Sequence, residues 1–432
     1  MKLSSDTYFF RILILIIVFT TDMNGQDILP GPDDECWTHF RGSALDGVAP
    51  EGNYPVTWND STNVLWRAPV DGRGWSSPVV CNDKVWITSA SPDGKEMYLL
   101  AYDLGTGSLL QRIDLFNPDT IYNKHAVNSY ATPTAAVESN FVYVHFGRYG
   151  TACVNTVTGE KVWERTDLKC KHVQGPGSSL LLHGEKLIVH MEGTDVQEIF
   201  ALDKHTGKTI WKTSRNPVFY EPLQEIGKKA YITPIVIVVE GRELLISNGS
   251  AVANAFDIET GEEVWYIPQG EDSTISMPVL FGENIYFYTS FVTPAEGEKF
   301  CELWAVDPRG EGDLTGNIQW RMKFPILQLL TPVIDDGLLY TVDTRGVFYC
   351  ISAGTGEILW KERLRGKYNA SPIIADGKIY VSNTRGETHV FRTGPAYEML
   401  TTNLLDGEIW ATPAFVDGSI VLRTSKWLYR LN

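Results

Sequence analysis

The sequence predicts an all-β fold, on one short phrase that repeats, a second that repeats alongside it, and the strands between them. "DIETGEEVW" runs from Asp257 to Trp265, and close copies stand at Asn155–Trp163, Asp203–Trp211 and Ser352–Trp360. The second phrase leads into Pro and then a short apolar run, at Ser77-Pro78, Thr132-Pro133, Thr233-Pro234, Met277-Pro278, Thr331-Pro332, Ser371-Pro372 and Thr412-Pro413. An eighth copy carries Leu180 in the Pro position. Between anchors come β-rich runs such as "KVWIT", "KLIVH" and "KIYVS", separated by Asp and Gly turns. Neighbouring anchors are about 40 to 55 residues apart, the length of a four-stranded propeller blade. The prediction is an eight-bladed β-propeller of four-stranded antiparallel blades.

Each part of the first phrase has a structural reason. Asp103, Asp203 and Asp257 are placed to accept from amides of the following hairpin, and Gly107, Gly159, Gly207, Gly261, Gly316 and Gly356 to supply a positive φ. Trp163, Trp211, Trp265, Trp320 and Trp360 follow four residues on and are expected to pack between adjacent blades. A buried indole hides roughly 150 to 250 Å², worth about 4 to 6 kcal/mol at most. Gln111 takes the Trp position in the first blade, and "YEMLTTNL" offers no aromatic in the seventh. The last unit stops at "WLYRLN", one strand short, while "NVLWRAPV" near the front carries an unpaired strand with Trp66. An N-terminal strand is therefore expected to complete the last blade, so that no sheet edge stays open.

Composition narrows the function classes. A hydrophobic content of 43% with 12% aromatic residues is that of an ordered globular protein. The net charge is −16 and no segment concentrates Lys or Arg, which argues against nucleic acid as a partner. Lys2 and Arg11 precede an apolar run from Ile12 to Phe19, too short to span a bilayer. Residues 1–25 are read as a signal peptide, 26–57 as an N-terminal extension and 58–432 as the propeller. The protein is expected to be exported, periplasmic or secreted, and monomeric, without a transmembrane segment after signal removal. Six cysteines (Cys36, Cys81, Cys153, Cys170, Cys301, Cys350) allow fifteen pairings and form no C-x-x-C or adjacent pair.

Four stretches carry a family resemblance: "WTHFRGSALDG" (Trp37–Gly47), "NVLWRAPVDGRGWSSPVV" (Asn63–Val80), "NSYATPT" (Asn128–Thr134) and "VYVHFGRYG" (Val142–Gly150). With the Thr-Gly-Trp phrases they make the chain resemble the pyrroloquinoline quinone (PQQ) repeat propellers. That superfamily includes quinoprotein dehydrogenases and the outer-membrane-protein assembly scaffold BamB, and the resemblance is to the non-dehydrogenase, BamB-like branch. The dehydrogenases hold PQQ between a Trp and a disulfide of adjacent cysteines, over Ca²⁺. This sequence has no such cysteine pair, so no cofactor is expected, PQQ with calcium being the alternative. The resemblance implies an exported non-catalytic scaffold that binds a protein or extended peptide in the cell envelope. The alternative is a quinone-dependent oxidoreductase, or a small-ligand or glycan binder using the central channel. No Cys stands where a BamB-type lipid anchor would be attached.

No other chemistry is announced. HExxH, a phosphate-binding Gly loop and a G-x-S-x-G elbow are absent, and His125, His172, His183, His190 and His205 are scattered, so no catalytic residue and no metal site is assigned. In propellers the first strand of each blade lines the channel. The residue three before each Pro position is then Trp75, Tyr130, Gly177, Tyr231, Ile275, Leu329, Asn369 or Trp410. Trp410, Trp75 and Tyr130 fall in neighbouring blades and form an expected aromatic crescent. With Tyr231, His125, Asn128, Arg148 and His172 they are the candidate recognition surface, the alternative being that they plug the channel.

Overall fold

The structure, a computed structural model, describes residues 36–293, 297–326 and 328–432. The expected signal peptide, and residues 26–35 of the expected extension, lie outside the described residues. The rest forms eight antiparallel blades of four strands each, the fourth gaining a short fifth strand. The inner strands, blade by blade, are Val79–Cys81, Ala136–Glu138, Leu181–His183, Ile235–Val239, Val279–Phe281, Val333–Asp335, Ile373–Ala375 and Ala414–Val416. The eighth blade takes its outermost strand, Val64–Pro69, from the front of the chain, paired antiparallel with Trp427–Leu431. The expected closure is thus realised.

Hydroxyls stitch the inner strands together. The amide of Ser77 donates to Thr134 Oγ1 (3.0 Å), that of Thr134 to Ser179 Oγ (2.9 Å), and that of Ser179 to Thr233 Oγ1 (3.1 Å). A second arc runs from Met277 to Thr331, Ser371 and Thr412 at 3.1, 3.0 and 2.9 Å. One of the two breaks between the arcs falls where Met277 has no hydroxyl to accept. The same relay corrects the second anchor. Its members are Thr134 and Ala135, just before the strand that starts at Ala136, and not Thr132-Pro133. The position is defined by a hydroxyl ahead of a strand, so the nearby Pro misleads by two residues.

The repeated phrase is a wedge and its seat. Trp66, Trp163, Trp211 and Trp320 each donate the indole N–H to a carbonyl in the following blade, at Leu104 (2.8 Å), Lys204 (2.8 Å), Ile258 (3.0 Å) and Ala353 (2.8 Å). Trp360 reaches Gly394 at 3.5 Å. The glycine of the next phrase is the seat: a Cβ on Gly207 would stand 2.6 Å from the Trp163 ring, and one on Gly261 2.7 Å from Trp211. Behind Trp163, Trp211, Trp265, Trp320 and Trp360 the third strand presents a small residue and then a bulge, as at Ala201 against Trp211, whereas Trp66 faces Arg430. Cys153 and Cys350 fill this position against Trp163 and Trp360, which accounts for two of the four free buried cysteines. Asp103, Asp203 and Asp257 accept from turn amides as expected.

Blade five departs from the pattern. Its turn is lengthened, and Gly312–Asp313 pairs in parallel with Trp265 and Tyr266, covering Trp265 completely. Trp265 therefore packs in the core between blades four and five as expected, but without the carbonyl bond the others make. Gly316 sits in a 3-10 turn with open space around it and does not take the positive φ expected of it.

A stopper closes one end of the channel. Cys36 is disulfide-bonded to Cys81, and Trp37 pairs with Val80 on the first inner strand. The Val137 amide donates to Thr38 O, and that of Leu182 to His39 Nε2. The chain then crosses to blade seven, where Val48 pairs with Ile374. Between these points Arg41, fully buried, donates to the carbonyls of Thr331, Pro332 and Pro372 at 3.3, 2.8 and 3.0 Å. Burial pulls its pKa down to about 9.

The wedge predicts unequal costs for one substitution. Gly207 and Gly159 both have positive φ, but a Cβ on Gly159 meets Gln111 and Ile113 at an ordinary 3.5 Å. Gly159→Ala should cost about 1 kcal/mol of backbone strain, whereas Gly207→Ala should cost about 3 kcal/mol because the Trp163 ring must also move. Urea unfolding measures both, and equal losses would refute the seat.

Candidate functional site

The loops that precede the inner strands gather at the mouth opposite the stopper, and those after the first two blades are long, covering residues 117–135 and 166–180. This is where most of the candidate residues stand. Trp75 and Trp410 stack, with ring centres 5.0 Å apart and planes at 13°. Arg73 covers Trp75 at 4.9 Å, and the Trp75 indole donates to Val127 O, which leaves it 8% exposed. Trp75 is a wall, and Trp410 its half-buried outer partner, held by Glu408 Oε2 at 3.1 Å.

Tyr130 is not in the crescent register, because of the two-residue slip in blade two; Thr132 takes that position. It joins another group, edge-on to Tyr149 at 6.2 Å, with its hydroxyl donating to Tyr122 O. Tyr130, Arg148 and His172 border one crevice with Tyr122, Phe146 and Tyr149, with room for about one water molecule. Asn128 braces the two long loops, donating to Gln174 O (2.8 Å) and Pro176 O (3.0 Å). His125 stays exposed at the loop edge. Tyr231 is buried, packed on Gly177 and 6.3 Å from the His172 ring. The structure thus joins Trp75 to Trp410 and Tyr130 to Arg148 and His172, but as two separate groups.

Beside the crevice runs a groove of about 350 Å³ that residue patterns did not reveal. One wall is Phe116–Thr120 and Tyr122, the other Thr166 and Lys169, and the floor Arg148 and Tyr149. The Arg148 guanidinium lies 3.5 Å over the Tyr122 ring, and Tyr149 Oη accepts from the Tyr122 amide. Only the 55-residue gap between the first two anchors hinted at it, since that excess length becomes the loop that builds the first wall.

The titratable groups nearby are not poised for catalysis. Cys170 Sγ lies 3.0 Å from His172 Nε2, but burial pushes the thiol well up and pulls the imidazole down to about 4, helped by Arg148. The pair is therefore a neutral thiol and a neutral imidazole, the reverse of an activated nucleophile. Among the described residues, no three His, Cys, Asp or Glu side chains converge as metal ligands would.

The family described as "Outer membrane protein assembly factor BamB" matches residues 195–313 and 301–409. A curated relative from Bordetella pertussis, the outer membrane protein assembly factor BamB, is 20% identical over 308 residues, covering 61% of this chain and 73% of its own. The structure of BamB from Moraxella catarrhalis superposes with a TM-score of 0.57 at 14% identity, covering 85% of this chain and 99% of that one. Quinohemoprotein alcohol dehydrogenase from Comamonas testosteroni gives 0.66 at 12% identity, over 92% and 80%. Fold and matched repeats define a PQQ-repeat β-propeller. Within that class the chain is BamB-like.

Buried histidines predict the pH response. Burial lowers the pKa of His39 to about 4, His145 to about 3 and His172 to about 4. The unfolded chain protonates near pH 6.5 and the folded chain does not, so it is the unfolded state that gains protons as pH falls. Stability should drop from pH 6.5 to about 4, by on the order of 3 kcal/mol per histidine. The carboxylates held low, such as Asp103 and Asp203, act only below that window. Denaturant midpoints read between pH 7 and 4 check this, and a flat profile would contradict it.

Proposed function

We propose that the chain is an exported, non-catalytic scaffold that binds a protein or an extended peptide of the cell envelope on the loop face of its propeller. The observation that carries this reading is the division of labour between the two ends of the channel. One end is stopped by Trp37–Val48 with Arg41 across it, while the other presents aromatic and cationic side chains on long loops. The BamB relatives, named for outer membrane protein assembly, support a protein partner and an envelope location. No helix among the described residues is long and apolar enough to cross a membrane.

The residues present do not fit PQQ held over Ca²⁺. The Trp75 ring is already taken by Trp410 and Arg73, no two cysteines are adjacent in the chain, and no carboxylate cluster faces the channel among the described residues. The alternative reading, a quinone-dependent oxidoreductase or a small-ligand or glycan binder in the channel, draws on the structural likeness to the alcohol dehydrogenase.

Two measurements separate these readings. Titration with PQQ and Ca²⁺ should leave the quinone absorbance and the melting temperature unchanged, and a saturable change in either would favour the oxidoreductase. Affinity purification from the native envelope should recover a protein partner, with recovery reduced at least severalfold by Trp410→Ala at an unchanged melting temperature. Undiminished recovery would remove Trp410 from the recognition surface.

A further inference from the structure

Positive charge is scarce on this chain, with 37 Lys and Arg against 53 Asp and Glu, and no stretch of sequence concentrates it. The fold nevertheless brings Arg73, Lys124, Lys169 and Lys171, on the loops that lead into blades one to three, together with Arg148, on a turn within blade two. Among the described residues none of the five is in an ion pair. Some cations elsewhere on the surface are paired, as Arg112 is to Glu96, Arg165 to Asp167 and Arg309 to Asp307, and others, such as the exposed Lys361 and Arg363, have no ion-pair partner among the described residues. Their charges act on one another: burial lowers the Lys124 pKa and Arg73 lowers it further, and burial and Arg148 lower that of Lys169 against an opposing pull from Asp167.

Aromatic rings support these charges. Arg148 lies over Tyr122 at 3.5 Å, Lys124 over Tyr130 at 5.5 Å and Arg73 over Trp75 at 4.9 Å. A guanidinium stacked in this way keeps its planar edge available for a carboxylate, at little entropic cost. The only bond between Arg148 and Lys169 is from Lys169 Nζ to the Arg148 carbonyl (2.7 Å), so the Arg148 fork stays unspent over the groove. Against these two cations the groove is lined by one carboxylate, Asp119. Asp167 is held by Arg165, and Asp195 accepts from the Lys171 amide.

We propose that the groove between the loops after blades one and two is a docking site for an acidic, aromatic-bearing peptide segment of the partner, its carboxylates meeting Arg148 and Lys169 and its rings meeting Tyr122 and Tyr149. This rests on the scaffold reading and gives it a place and a chemistry. A peptide is favoured because the groove is an open trough with aromatic rings on one wall and the floor and Thr166 and Lys169 on the other wall, which suits an extended chain whose side chains alternate between apolar and charged. The charge contacts are at the surface and so are sensitive to salt.

The test uses the whole chain and a fluorescent twelve-residue peptide alternating Glu or Asp with Phe or Tyr, followed by anisotropy. The same peptide with Gln and Asn is the neutral control, and a sulfated oligosaccharide the glycan control. The acidic peptide should bind at 20 mM salt, weaken at least tenfold at 500 mM, and weaken at least tenfold in R148E/K169E. Charge reversal at Lys361 and Arg363, exposed on blade six, should leave it unchanged. Binding of the neutral peptide equal to the acidic one, binding of the oligosaccharide alone, or no binding at all overturns the proposal. If R148E/K169E still recovers the envelope partner in full, the groove assignment falls while the scaffold reading stands; if the unaltered chain recovers no partner, the scaffold reading itself falls.

Discussion

An indole can lie flat against a neighbouring turn only where that turn lacks a side chain, and this steric match governs how the blades join. Trp163 on Gly207 and Trp211 on Gly261 show it directly, since a single added carbon would fall within 2.7 Å of the ring. The indole N–H then finds a carbonyl a few residues away in the same turn, so burial and polar satisfaction come from one contact. The phrase that repeats in the sequence is thus one half of two joints: its Gly seats the Trp behind, and its Trp wedges into the blade ahead.

Because that joint is written in adjacent residues, it was legible. So was the pairing of front and back strands, since a blade one strand short and a strand without a blade can be matched by inspection. The register of blade two was less so. Thr132-Pro133 looks like the other anchors, yet the hydroxyl relay uses Thr134, and only inter-blade bonds distinguish them. Gly316 misled for a related reason, because the lengthened turn in blade five moves it out of the seat and lets Gly312–Asp313 cover Trp265 instead. The Cys36–Cys81 bond and the reach of Arg41 to Thr331, Pro332 and Pro372 join residues far apart in sequence, and no local pattern marks them.

The loop face was legible in its parts and not in its assembly. Trp75 and Trp410 were placed correctly as neighbours because both follow the anchor register. Arg148 and Lys169 are separated by the last two strands of blade two and their turns, and Tyr122 lies before a blade that Arg148 lies within. Their convergence depends on where long loops come to rest, which depends in turn on braces such as Asn128 to Gln174 and Pro176. Net charge was the least informative quantity, since an acidic average conceals a local excess of the opposite sign.

The strand Val64–Pro69 also sets a timetable for biosynthesis. Its partner is Trp427–Leu431, so the two strands of this pair emerge from the ribosome with the other seven blades between them. Until then Leu65 and Trp66 have no neighbouring strand, and seven nascent blades wait with two raw flanks exposed to other chains. Loop-closure entropy rises only slowly with span, so the delay is kinetic more than energetic. A ring assembled this way closes only when both halves of its shared blade have been made.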